Sequence, residues 1–135
     1  MNYPSDFTPE LRNKPICGVL SVAMLANVTF ARATQAIKNN LMPWQKRHGG
    51  KTYHEQRLNA LRELGVNFVQ HPTPAKQTLE RWVLTSADPS KVYAVQTTKH
   101  VVTVKDGIVV DQYEINPIEK FGAKRCFVRE VVEVL

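Results

Sequence analysis

The chain is poor in the features that would mark a specialised scaffold. Of its 135 residues only two are cysteine, so at most one disulfide can form and a disulfide-stapled fold is excluded. No apolar run approaches a membrane span; the longest, Val19 to Ala26, is short and interrupted by Ser21. The opening segment MNYPSDFTPELRNK has no basic stretch leading into an apolar one. No secretory signal is expected from it, and free thiols in a reducing cytoplasm are the expectation that follows. Repeats, low-complexity tracts and dividing linkers are also lacking, so one domain is expected over residues 1–135. The three histidines His48, His54 and His71 are not spaced with clustered Cys or Glu as a zinc site requires, so no metal is expected. Lys46-Arg47-His48-Gly49-Gly50-Lys51 lacks the strand, the glycine spacing and the Lys-Ser/Thr end of a phosphate loop. It reads as a basic loop.

What is present is an ordinary globular composition with 43% hydrophobic residues and a net charge of +6. The Lys and Arg residues are scattered along the chain, which suits general attraction of acidic partners better than a defined nucleic-acid face. The pattern divides the chain into an irregular lead-in over 1–15, a mainly helical part over 16–84 and a mainly β part over 92–135, an α+β layout. Pro15 ends the lead-in, and Cys17 to Asn27 is so apolar that the helix it forms must be buried on all sides. Thr29 is positioned to cap a helix from Phe30 to about Asn39. Thr52 with Glu55 reads as a capping box for a helix through Leu58, Leu61 and Leu64 that stops at Gly65. Val66 to Gln70 reads as a strand, Thr78 as the cap of a short helix with Trp82 in the core, and Val92 to Thr97 as a strand. Asp106-Gly107 between two β-rich runs is a hairpin signal, and a last strand is expected from Cys126, taken as core, to Val134.

Three residues in this pattern carry chemistry. Cys17 opens a helix, where exposed N–H groups and the positive end of the helix dipole favour thiolate. If Asp106 and Gly107 are the two turn residues, Val102 faces Asp111 across the hairpin, and His100 and Asp111 become diagonal neighbours. A thiol, an imidazole and a carboxylate are the components of an activated nucleophile, its base and the group that orients the base.

The segment Cys17-Gly18-Val19-Leu20-Ser21-Val22-Ala23-Met24-Leu25 resembles the nucleophile helix of papain-like cysteine peptidases. The closest likeness is to the bacteriocin-processing-peptidase-like branch and its small phage-encoded relatives. The segment from His100 to Asp111 resembles their histidine, hairpin and aspartate block, and the Cys, His, Asp order agrees. The resemblance implies a papain-like fold with Cys17 as nucleophile, His100 as proton carrier and Asp111 holding the imidazole ring. The backbone N–H of Cys17 would form part of an oxyanion hole. It implies hydrolysis of a peptide or isopeptide bond in a protein or peptide substrate without any cofactor, and a phage origin acting in the host cytoplasm. The family usually places a glutamine about six residues before the cysteine; Leu11 stands there, and Asn13 is the candidate oxyanion donor. Two other expectations stand beside this one: a papain-like fold that has become a protein-binding module, and, ranked third, a basic nucleic-acid-binding protein.

Overall fold

In a computed structural model, which describes residues 1–98 and 100–135, four α-helices and a six-stranded antiparallel sheet make an α+β fold. The helices are Cys17–Ala26 (α1), Phe30–Asn39 (α2), His54–Glu63 (α3) and Leu79–Thr85 (α4). The strands are Phe68–His71 (β1), Val92–Thr97 (β2), Val101–Lys105 (β3), Ile108–Val110 (β4), Ile115–Pro117 (β5) and Val128–Val134 (β6), in the order β1-β6-β2-β3-β4-β5.

The sheet separates two cores. On one face lie α1, α2 and α3, packing Val19, Val22, Ala33, Ile37, Leu58 and Leu61 against Val132. On the other face α4 and the segment after β5 bring Leu79, Trp82, Ile118 and Phe121 onto Val95, Val102 and Val131. Helix α1 is buried from Gly18 to Ala23, as its uniformly apolar sequence requires, and it touches α2, α3, β2 and β3. Its far end closes at Asn27 in the left-handed region, φ 54°, where the N–H reaches the carbonyls of Ala23 and Met24. Thr29 and Thr78 cap α2 and α4 by accepting the N–H groups of Arg32 and Arg81.

Some boundaries depart from the sequence reading. Helix α3 begins at His54, not after Thr52, and its first-turn bond comes from Gln56, whose Oε1 accepts the Tyr53 N–H at 3.3 Å. Thr52 is otherwise engaged, because its hydroxyl accepts a guanidinium hydrogen bond from Arg57. The first strand starts two residues later than expected, at Phe68, and β6 starts at Val128, with Cys126 in a bend. Cys126 is therefore half-buried and lies outside the core. The hairpin turn is two residues long, with Asp106 at φ 49° and Gly107 at φ 74°, and Lys105 pairs with Ile108.

Among the described residues no single helix is long and apolar enough to cross a membrane.

Candidate active site

At one end of the sheet, the start of α1, the β2–β3 turn and the segment after β4 converge. Cys17 occupies the first position of α1, where the N–H groups of the opening turn have no acceptor inside the helix. The next residue must be small. A Cβ on Gly18 would overlap the Thr52 hydroxyl and come within 3.1 Å of Arg57 Cδ. The Cys-Gly pair thus lets the loop before α3 close directly onto the start of α1.

His100 lies just outside β3. Its carbonyl is held by the Thr97 N–H at 2.7 Å and by the Thr97 hydroxyl at 3.2 Å, which fixes its backbone. Nε2 meets Asp111 Oδ2 at 2.9 Å. Cys17 and His100 border the same cleft, close enough for each to shift the other's titration. The Tyr113 ring lies nearly parallel to the imidazole, with centroids 6.1 Å apart.

Asp111 is held from several directions. Its Oδ1 accepts the N–H groups of Tyr113 and Glu114 at 2.8 and 2.9 Å, and its carbonyl accepts the Tyr3 hydroxyl at 2.7 Å. The neighbouring Gln112 is buried and donates through Nε2 to the carbonyls of Arg12 and Lys14, both at 2.7 Å. The lead-in is thus tied to the hairpin end immediately before Cys17. Residues 1–15 also reach α2, where Asp6 accepts the N–H groups of Phe30 and Ala31.

Electrostatics at the site follow from these contacts. Burial pushes the Cys17 thiol up, but the His100 hydrogen bond, the Val101 N–H and the charges of His100 and Arg57 outweigh it, so the net shift is downward. His100 is raised from 6.5 to about 10, first by its bond to Asp111 and then by its bond to Cys17, against a smaller lowering by burial. Both shifts favour thiolate beside imidazolium.

Of the residues singled out from the sequence, Cys17, His100 and Asp111 come together. Asn13 does not join them: it is exposed at the end of a 3-10 turn, Pro9–Asn13, and does not line the cleft that holds Cys17. That cleft, about 420 Å³, is bordered instead by Thr52, Arg57 and Gln96. Arg57 is 7% exposed and donates to the Thr52 carbonyl and hydroxyl through Nη1 and to Gln96 Oε1 through Nη2, at 2.6 Å for the last. Sequence reasoning overlooked these residues. The signal for Arg57 was there, since it shares the helix face of Ala60, Leu61 and Leu64 at three-, four- and seven-residue spacing. Nothing local marked Gln96. Lys51, from the basic loop, borders the cleft, and Trp44 stands 63% exposed away from it.

The remaining histidines are dispersed: His54 bonds Gln70 at 3.1 Å and His71 bonds Glu133 at 3.0 Å. Among the described residues no three His, Cys, Asp or Glu side chains gather as a metal site would need. No protein-family model matches this chain, and no curated protein matches it significantly.

Proposed function

We propose that this chain is a papain-like cysteine hydrolase that transfers acyl groups through a Cys17 thioester, with a peptide or isopeptide bond as substrate. The observation that carries the reading is the imidazole of His100, which shares one cleft with Cys17 and is bonded to Asp111 at 2.9 Å behind it. A pre-formed thiolate attacks the acyl carbon without first losing a proton to a base, and the imidazolium then donates its proton to the leaving amine. Asp111 keeps the ring oriented and favours its charged form. Water, deprotonated by the now neutral His100, releases the acyl group and restores the thiolate. The oxyanion is met by N–H groups at the start of α1. For a side-chain donor, Gln96 is better sited than Asn13. Its Oε1 is held by Arg57, so its Nε2 is the end left for the cleft.

A protein-binding module on the same fold is the second reading, favoured by the exposure of Asn13 outside the cleft. The pH profile of Cys17 alkylation by iodoacetamide separates the two, with Cys126→Ser as background and His100→Ala as comparison. The hydrolase reading requires fast alkylation below the ordinary thiol range that collapses in His100→Ala, because the lowered thiol depends on that imidazole. Alkylation that follows an ordinary thiol titration and ignores His100→Ala leaves the binding module.

A further inference from the structure

The charge around Cys17 is one-sided. Among the described residues that border the cleft, the charged or chargeable side chains besides the thiol are Lys51, Arg57 and His100; no Asp or Glu borders it. His100 has its carboxylate in Asp111. Arg57 has none. Its hydrogen-bond partners are the Thr52 carbonyl, the Thr52 hydroxyl and Gln96 Oε1, all neutral. Glu130 acts on it only from a distance, through an inner pocket that Arg57 separates from the cleft, and Glu130 is itself 3.7 Å from His54. A guanidinium has five N–H donors, and these three bonds leave the Nε–H and one Nη2–H uncommitted. Its hydrogen-bond partners are neutral and its nearest counter-charge is the Cys17 thiolate itself, so Arg57 is a desolvated cation that is costly to hold, where an apolar side chain would cost less. The fold also restricts Gly18 to the one residue that admits the Arg57 stem beside the nucleophile helix.

Building on the acyl-transfer reading, we propose that the cleft selects acyl donors that bear a carboxylate beside the scissile carbonyl, that is, acidic peptide segments. Arg57 and Lys51 are the specificity-determining cations. Arg57, pinned by Thr52 and Gln96, presents a fixed charge next to Cys17, and Lys51 at the rim adds a movable one. A neutral donor of the same shape leaves Lys51 unpaired and Arg57 with only the Cys17 thiolate that the reaction consumes, whereas an acidic donor brings a carboxylate to both. The net charge of +6 adds long-range steering of the same sign.

The test uses two small electrophiles that differ only in this respect. Iodoacetate carries a carboxylate on the carbon it delivers; iodoacetamide carries the neutral amide. The rate ratio, iodoacetate over iodoacetamide, is measured at Cys17 in the full chain with Cys126→Ser and divided by the same ratio for glutathione. We expect a normalised ratio of about ten or more at low salt, falling with added salt. We expect several-fold decreases in Lys51→Gln and in Arg57→Gln, and retention in Arg57→Lys. Lys51 is exposed, so Lys51→Gln and the salt series decide the matter even if the Arg57 variants fail to fold. A normalised ratio near one overturns the proposal. So does a high ratio that ignores salt and Lys51→Gln, because Lys51 would then have no part in the selection. An ordinary thiol pH profile with the anion preference intact would remove the hydrolase reading and keep the cationic cleft. A fast low-pH profile without the preference would do the reverse.

Discussion

The two faces of the sheet are packed by different rules. Towards α4 the core runs from Leu79 and Trp82 to Phe121 and Val131, and it includes the Tyr93 hydroxyl, which accepts the Asp88 N–H. Towards α1, α2 and α3 the same kind of aliphatic packing is interrupted by buried Ser21, Gln56, Arg57 and Thr103. Each is bonded: Thr103 to Ser21 at 3.4 Å, Gln56 to the Ile37 carbonyl at 3.3 Å, and Arg57 to Thr52 and Gln96. Buried polar groups are tolerable only when satisfied in this way, and they stabilise less than the apolar packing they displace. The α4 face therefore supplies stability, and the α1 face gives up some of it to hold a charged cleft beside Cys17.

The sharpest test of this division is Phe121→Ala. The ring is 1% exposed, and removing it should cost about 3–5 kcal/mol in urea unfolding. The fraction that stays folded should keep the unaltered low-pH alkylation of Cys17. A changed alkylation profile before unfolding would show that the two faces are not separate in role.

Gly18→Ala is the converse test on the other face. The added methyl meets Thr52 and Arg57, so the loss should be about 1–3 kcal/mol. The effect on chemistry should exceed the effect on stability: displacing Thr52 and Arg57 should move the Cys17 profile towards an ordinary thiol. If stability falls while the profile stays, the close approach of Thr52 and Arg57 has no part in lowering the thiol.

The third test is a pH dependence confined to the α1 face. His100 is raised from 6.5 to about 10, so its contribution to stability is complete below 6.5 and is lost as pH rises towards 10. Cys17 is lowered from 9.0, so its contribution is present above 9.0 and is lost as pH falls through the lowered value. Between the lowered Cys17 value and 9.0 the two slopes oppose each other, and above 9.0 the contribution of the pair falls as His100 loses its proton. The difference in unfolding free energy between the parent and Cys17→Ala, followed across pH, measures this directly. A difference with no alkaline fall would mean that Cys17 does not raise His100.

Much of the fold is legible locally. Thr29 and Thr78 cap the helices they precede, Gly65 turns at φ 79° after α3, and Asp106-Gly107 makes the two-residue turn that sets the hairpin register. Thr52 was misread because a capping box and a partner for a buried guanidinium ask for the same residue type, and only packing tells them apart. Alternation along β3 was misleading in another way. Val102 packs towards α4, and Thr103 faces Ser21 of α1, so strict alternation would turn His100 away from Cys17. The ladder begins only at Val101, and His100, released from it, turns back to the cysteine.

The sequence by itself determined the apolar helix that begins at Cys17, the hairpin that brings His100 within reach of Asp111, and the α+β class. These depend on backbone preferences and side-chain periods that act over a few residues. Only the tertiary structure decided that His100 meets Cys17, that Gln112 ties Arg12 and Lys14 to the hairpin end, and that Arg57 points inward to Thr52 and Gln96. The physical reason is that each of these contacts joins segments distant in the chain. Their encounter is set by how the helices and sheet bury their apolar faces together, and no local preference encodes it.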